Sequence, residues 1–310
     1  MTNKEKYIQL CNTKSIPVHS QYWWYEKATQ ESDWDAIVID NAHGDILAAM
    51  PYWICQKYGF RLMIMPRHTQ FLWIYVSENA PKNIYETLLL EIDKTCRLNH
   101  VSWCSLMGYF PSELLNEAQK RKFEITQRIS YQIEKVPASE HIIDLFSSNK
   151  KRQIKKIHEG ELCRISVDEF YSFHSHCLAQ RGKKIDYERS WAISLLSEAV
   201  RRKSGCALAV KNSLGQLMSA VFLIWDEKVC YYLLPTYDND FKHSGAMAFV
   251  TYKAMEFASE NNIKFDFEGS MQPSIASSYM QFGGKACTYY KLDYFRNPLL
   301  KILLKLFHHI

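Results

Sequence analysis

Two segments of the sequence share one pattern of apolar and polar positions. Residues 36–49 read AIVIDNAHGDILAA, and residues 207–220 read ALAVKNSLGQLMSA. They align without a gap at an offset of 171 (207 − 36). In each segment an apolar strand enters an Asn-x-x-Gly turn and a second apolar strand leaves it. Because glycine supplies the positive φ that such a connection needs, each segment is predicted to be a β-hairpin.

Downstream of each hairpin the apolar positions change to a helical period. Residues 82–98 and residues 244–260 both place apolar side chains on one face of a helix. Each helix is followed by an asparagine, a short apolar strand, a short helix and a phenylalanine. A last strand completes each copy, at 125–133 and at 286–294. The order strand, strand, strand, helix, strand, helix, strand is therefore predicted twice.

The residues between the two copies are predicted to be helical. Residues 142–157 read as a basic helix that ends before Gly160, and residues 167–179 and 187–203 read as two further helices. These would be the leading helices of the second copy.

Length and repeat together predict two modules. A chain of 310 residues suits two domains of about 150 residues each. Pro137 lies between the copies and marks the predicted boundary. We expect a degenerate first module over 1–137 and a second module over 138–310.

Composition places the chain among globular proteins of a reducing compartment. Hydrophobic residues make up 47% and charged residues 23%, which is ordinary for a packed domain. The nine cysteines form no CxxC pair, as is typical of reduced thiols. The sequence opens without an apolar signal stretch and has no uncharged apolar run of about 18 residues. These features predict a cytoplasmic protein without a transmembrane segment.

Basic residues are concentrated in the middle of the chain, although the net charge is only +5. The cluster comprises Lys150, Lys151, Arg152, Lys155, Lys156, Arg181, Lys183, Lys184, Arg201, Arg202 and Lys203. A solvated helix face accounts for most of these side chains. The functional alternative is a surface that meets phosphates, either of a nucleotide-bearing cofactor or of an RNA.

The predicted order of elements resembles the GNAT acyltransferase fold. In that family the loop before the central helix has the pattern Arg/Gln-x-x-Gly-x-Gly/Ala and holds the coenzyme A pyrophosphate. Here the loop has lysine in place of Arg/Gln and a single glycine, at a helix start whose dipole favours an anion. The resemblance implies binding of an acyl-CoA donor by Lys242, His243, Ser244, Gly245 and Ala246.

Longer stretches are similar to the bacterial FemAB-like branch, which includes the peptidoglycan peptidyltransferases. These stretches are IPVHSQYWW (16–24), PRHTQ (66–70), SNKKRQIKKIHEG (148–160), FDFEGS (265–270) and FGG (282–284). The resemblance implies an α/β fold of two tandem GNAT-like modules, each a mixed, mostly antiparallel sheet flanked by helices. The first module would form a wall of the acceptor pocket, with Trp24 and Gln70 as candidate substrate contacts.

The resemblance also implies two strands that part and hold the donor's arm. They would be 229–235, which includes Leu234 and ends at Pro235, and 263–268. Tyr279 stands four residues before Gly283, where many GNAT enzymes have the tyrosine that protonates the leaving thiolate. The alternative for Tyr279 is a ring that closes the core.

Two carboxylates are candidate catalytic bases or amine-binding groups. Asp266 and Glu268 alternate on one predicted strand, which would place both on the same face. One of them has an alternative role, holding the Gly269-Ser270 turn. No metal is expected, because His174 and His176 diverge by about 200° on a helix and cannot share an ion.

Three functional hypotheses follow. The first is an N-acyltransferase that uses acyl-CoA and acts on a small amine or amino sugar. The second is a FemAB-type peptidyltransferase that uses aminoacyl-tRNA and acts on a cell-wall precursor. The third is a binding protein without catalysis on a degenerate GNAT scaffold. The amphipathic residues 298–307 would contact a membrane surface or a partner, or pack onto their own module.

Overall fold

The computed structural model describes residues 1–30, 34–57, 59–157, 160–185 and 187–306, apart from the Lys305 side chain. The α-helices are α1 Asn3–Thr13, α2 Tyr22–Ala28, α3 Ile84–Leu98, α4 Ser112–Lys120, α5 Ser148–Lys155, α6 Val167–Ala179, α7 Arg189–Arg201, α8 Ala246–Glu260, α9 Pro273–Gln281 and α10 Pro298–Leu306. The strands are β1 Trp34–Asp40, β2 Ile46–Lys57, β3 Phe60–Met63, β4 Tyr75–Val76, β5 Val101–Gly108, β6 Glu124–Ile133, β7 Glu161–Ile165, β8 Gly205–Lys211, β9 Leu217–Trp225, β10 Val229–Tyr237, β11 Lys264–Asp266 and β12 Lys285–Phe295. Within these described ranges, no helix has the length and apolar character needed to cross a bilayer.

The chain divides into two compact units that differ from simple halves. The first unit comprises residues 1–128 and 288–310, and the second comprises residues 129–287. Each repeat therefore contributes the end of its last strand to the unit formed mainly by the other repeat. The modules predicted at 1–137 and 138–310 describe the repeat in the sequence, and their boundary stays a prediction.

In the first unit, the strands follow the order β1–β2–β3–β5–β12, and β4 pairs with β2. All of these pairs are antiparallel except β3 with β5. The apolar face of α3 covers the sheet, and its buried residues Leu88, Leu89 and Ile92 join a core that includes Met50 and Leu106.

In the second unit, the order is β6–β11–β10–β9–β8–β7. The described pairs are antiparallel except β10 with β11, which is parallel. Helix α8 lies against this sheet and buries Ala246, Val250, Ala254 and Met255 among its apolar residues. The predicted fold class, mixed sheets flanked by helices, is confirmed.

The two predicted hairpins form, and their turns are the same in detail. The Oδ1 atom of Asn41 accepts the N–H groups of the residues two and four positions later, at 2.8 and 2.9 Å. Asn212 does the same at 3.0 and 2.9 Å. Gly44 and Gly215 adopt φ of 86° and 76°. The central helices also end alike, since Asn99 and Asn261 each donate their side-chain amide to the carbonyl four residues earlier.

One predicted helix is wrong in its extent. The sequence 142–157 forms two elements, a 3₁₀ turn at Ser139–Leu145 and the α-helix α5. Phe146 between them is buried and extended, with ψ of 141°. Ser147 then caps α5 by accepting the N–H of Lys150, so a new helix starts where periodicity suggested continuation.

The C-terminal helix α10 lies on the first unit and not, as the sequence suggested, on its own module. Leu300 and Leu304 pack against Leu62 of β3, with Trp103 and Phe295 beside them. Lys301 also pairs with Glu124 of β6. Phe307, the last residue of the predicted amphipathic segment, lies outside the described residues.

Helix α5 is fastened to α9 by polar contacts within the second unit. The buried Lys150 Nζ donates to Ser278 Oγ at 2.9 Å and lies 4.3 Å from the centre of the Phe282 ring. The N–H of Ser147 donates to the Gln281 carbonyl, also at 2.9 Å. Burial lowers the pKa of Lys150 to about 8, because an ammonium loses solvation there.

We expect Asn41→Ala and Asn212→Ala to lower the free energy of unfolding by similar amounts, about 1–2 kcal/mol each, because each removes one acceptor of two turn hydrogen bonds. Urea denaturation of the two variants measures this. Leu214→Ala, in the same turn with its side chain 80% exposed, is the control and should leave stability unchanged. Unequal losses would mean that the two turns are not energetically equivalent.

We expect Lys150→Met to change how stability depends on pH. Folding lowers the Lys150 pKa from its ordinary 10.5 to about 8. The charged amine therefore costs stability below pH 8, and this cost disappears as the pH rises from 8 to 10.5. Relative to Lys150→Met, the native protein should gain stability across this window. Urea midpoints at several pH values measure the difference, with the exposed Lys155→Met as control; a constant difference would contradict the expectation.

Candidate functional site

Strands β10 and β11 part in the middle of the second unit. Their registered pairs are Val229 with Lys264, Cys230 with Phe265 and Tyr231 with Asp266. The pairing stops there, although β10 continues to Tyr237. A shift in register at Leu233, between Tyr232 and Leu234, bends β10 against β9 at the same point. The registered pairing of β10 and β11 therefore ends at Tyr231 and Asp266, as expected of the parted strands that the resemblance implies; that they hold a donor stays a prediction.

The opening begins earlier than the sequence suggested. Pro235 was expected to end its strand, but it lies inside β10, opposite Val221 of β9. Proline is tolerated in a strand where no partner needs its missing N–H, and β11 has already diverged at this position. Leu234 and Pro235 are both half-buried beside the opening.

Asp266 ends β11 and is fully buried. Its Oδ1 accepts the Ser130 hydroxyl at 2.6 Å and the N–H of Glu268 at 2.7 Å. Its Oδ2 accepts the Gln132 amide at 2.6 Å. Three donors on one carboxylate stabilise its charged form and fix its position. Asp266 is thus arranged as an anchor for the chain that follows.

Glu268 occupies that following turn and not the strand. Its φ of 60° is left-handed, so the alternation that would place Asp266 and Glu268 on one face of a strand does not hold. The two residues are close for a different reason, the hydrogen bond from the Glu268 N–H to Asp266. Gly269 continues the turn with φ of 74°, and a Cβ there would lie 2.4 Å from the Ile129 carbonyl oxygen.

Tyr279 on α9 faces these carboxylates. Its ring stacks on Phe267 with the centroids 4.6 Å apart and meets Tyr232 edge-on at 6.4 Å. Burial raises the pKa of Tyr279 well above its ordinary value, and the charges of Glu268 and Asp266 raise it further. The hydroxyl thus keeps its proton near two carboxylates, while the side chain stays half-exposed.

The glycine loop before α8 is partly closed. Gly245 caps the helix with φ of 88°, and a Cβ built on it would lie 2.0 Å from the Gln153 carbonyl oxygen of α5. Ser244 Oγ accepts the Ala246 N–H at 3.2 Å. The backbone of α5 thus covers one side of the loop, and a side chain already uses one of the N–H groups that would meet a pyrophosphate.

The same contact brings the basic residue Lys156 beside the loop. A Cβ built on Gly245 would lie 3.6 Å from the Cβ of Lys156. Lys155, Lys156, Lys242 and His243 are exposed. Across the part of the chain that the structure describes, none of the three lysines has a carboxylate within 4.0 Å. This arrangement leaves positive charge available to a phosphate backbone.

The two candidate substrate contacts of the first module lie in the first unit. Trp24 is fully buried, and its ring N–H donates to Thr69 Oγ1 at 2.9 Å. Gln70 is half-buried and donates its amide to the Tyr289 hydroxyl at 3.0 Å. Their part in substrate binding stays a prediction, and the burial of Trp24 favours a structural role.

Sequence reasoning missed Ser130 and Gln132, which hold Asp266. The signal was present as two polar residues that alternate with apolar ones at the end of β6, ISYQI at 129–133. Because these residues belong to the first repeat, the motifs of the second repeat did not point to them. Only the strand pairing of Gln132 with Asp266 joins them.

A family model links this unit to known proteins. Residues 147–273 match the family described as an acetyltransferase (GNAT) domain. These residues include the parted strands, the glycine loop and both carboxylates. No curated protein matches the chain at a significant level.

Several solved structures are similar over nearly the whole chain. FemX aligns with 98% of this chain and 98% of its own, at a TM-score of 0.73 and 11% identity. L-PGS from Bacillus licheniformis covers 97% and 95% at 0.59 and 10%. A tandem GNAT protein from the clavulanic acid biosynthesis pathway covers 94% and 93% at 0.54 and 8%. Residues 147–273 therefore match a GNAT acetyltransferase domain, and the chain as a whole has the fold of FemX and the tandem GNAT proteins.

Proposed function

We propose that this protein transfers an aminoacyl group from an aminoacyl-tRNA to an amine. The observation that supports this donor is the contact between Gly245 and the Gln153 carbonyl, which closes one side of the loop that would hold a coenzyme A pyrophosphate. The same contact sets the exposed Lys156 beside the loop, which itself begins with the exposed Lys242. Members of the FemAB-like branch use this donor, and the fold shared with FemX is consistent with it.

The proposed chemistry assigns a role to each side chain of the site. The acceptor amine attacks the ester carbonyl of the donor, an amide bond forms, and the bond from that carbonyl to the ribose oxygen breaks. One proton passes from the amine to the ribose oxygen. Glu268 takes the amine proton, and the Tyr279 hydroxyl donates its own proton to the leaving oxygen. Glu268 then releases its proton to solvent and Tyr279 takes one up, which restores both groups. Asp266 holds the Glu268 turn and does not act as a base, because its oxygens already accept three hydrogen bonds.

A second candidate is acyl-CoA-dependent transfer to a small amine or amino sugar. The parted strands β10 and β11 and the GNAT family match of residues 147–273 support it. In this alternative, the arm of the donor lies along Leu234 and Pro235. A third possibility is a scaffold that binds without catalysis. Such a protein would bind the donor and show no turnover.

We expect tRNA to bind with an affinity that falls steeply with salt, and we expect acetyl-CoA to bind weakly or not at all. Lys155→Gln/Lys156→Gln should weaken tRNA binding and reduce the slope of log K against log salt by about 1 per lysine. Filter binding measures the affinity for tRNA, and calorimetry measures the affinity for coenzyme A and acetyl-CoA.

Lys14→Gln/Lys82→Gln removes two exposed lysines from the first unit and serves as the matched control. Tight acetyl-CoA binding without tRNA binding would establish the second candidate instead.

We expect Tyr279→Phe to lower turnover about 100-fold, the scale of a lost general acid, and to leave donor affinity unchanged. The raised pKa of Tyr279 keeps its proton in place through neutral and mildly alkaline pH, so the native rate should not fall there through loss of this proton. Single-turnover assays with an amine panel measure the rate. Tyr252→Phe removes another half-buried hydroxyl of the second unit and is the control; equal losses in both variants would exclude the role of Tyr279.

A further inference from the structure

Helix α10 has apolar residues on more of its surface than its packing uses. Leu300 and Leu304 are buried against the first unit. Leu299, Ile302 and Leu306 are 58%, 56% and 68% exposed. Their spacing of three and four residues places them on one face of the helix. Among the residues that the structure describes, the core packing of α10 uses Leu300 and Leu304 and leaves this face exposed, and an exposed apolar face is typical of an interaction surface.

The exposed face is held in a fixed orientation. Leu300 and Leu304 lie against Leu62, beside Trp103 and Phe295. The ion pair between Lys301 and Glu124 fastens another side of the helix to β6. Because these contacts do not involve Leu299, Ile302 or Leu306, all three side chains can enter a second phase without unfolding the unit.

The charges around this face are basic. Residues 294–310 contain Arg296, Lys301 and Lys305 and no aspartate or glutamate. Arg296 is exposed immediately before the helix. Lys57 is exposed on β2, two positions after Cys55, which packs on the same cluster as Leu300. Glu124 offsets one of the lysines. The net local charge complements an anionic surface.

We propose that α10 docks the protein onto an anionic lipid bilayer, with Leu299, Ile302 and Leu306 inserted into the interface and Arg296 and Lys57 near the headgroups. A helix that presents an apolar face and flanking cations lies in the plane of such an interface. Its affinity for the bilayer depends on the apolar area that it buries and on its electrostatic attraction to anionic lipids. The surface serves localisation and is independent of the donor used at the site in the second unit.

Flotation with vesicles tests this proposal. The native protein should bind vesicles of phosphatidylcholine with one-third phosphatidylglycerol, and binding should fall with salt and be weak on phosphatidylcholine alone. Leu299→Ser/Ile302→Ser should lower the partition coefficient at least about tenfold, since two exposed aliphatic side chains no longer insert. The control Leu98→Ser/Leu214→Ser removes two leucines that are 72% and 80% exposed elsewhere and should bind as the native protein does.

Thermal unfolding of both double variants verifies that the fold is kept. Absence of binding by the native protein, equal binding to neutral vesicles, or equal loss in the control would overturn the proposal. Sedimentation velocity tests the competing occupant, a second copy of the chain. A dimer that Leu299→Ser/Ile302→Ser abolishes would assign this face to self-association and likewise overturn it.

Discussion

The buried carboxylate of Asp266 connects the two repeats at the candidate site. It accepts hydrogen bonds from Ser130 and Gln132, which the first repeat supplies, and from the backbone of Glu268 in the second. A buried charge without such donors would cost several kcal/mol, so the three bonds are a condition for the fold as well as for the site. The turn that carries Glu268 exists because Asp266 is held in this way.

The exchange of last strands gives this connection its physical basis. Residues 129–133 of β6 lie in the second unit, and β12 from Thr288 onward lies in the first. Each unit therefore requires a strand from the other repeat to complete its sheet. A site that depends on Ser130, Gln132 and Asp266 together cannot form from the second repeat alone.

The two repeats keep the same local structure and differ at the loop before the central helix. Asn41 and Asn212 organise their hairpins alike, and Asn99 and Asn261 end their helices alike. These features are set by short-range hydrogen bonds and positive-φ residues. The second repeat has Gly245 where the first has Asn79-Ala80-Pro81. That glycine lets the backbone of α5 approach the start of α8 and places Lys156 beside the loop. The two repeats therefore differ in whether the start of the central helix is covered.

Features that depend on short-range interactions could be predicted from the sequence. Features that depend on contacts between distant segments were decided only by the tertiary structure. The sequence by itself determined the duplicated order of elements, the hairpin turns and the ends of the two central helices at Asn99 and Asn261, because each depends on periodicity or on residues within a few positions of one another. It also indicated Tyr279 and the parted strands through a family resemblance. Only the tertiary structure decided that Ser130 and Gln132 hold Asp266, that Glu268 leaves the strand, and that α5 closes over Gly245. The contacts of Asp266 with Ser130 and Gln132, and of Gly245 with α5, join residues about 90 to 140 positions apart. The left-handed backbone of Glu268 depends on its neighbours in the fold. No sequence pattern within one segment predicts these features.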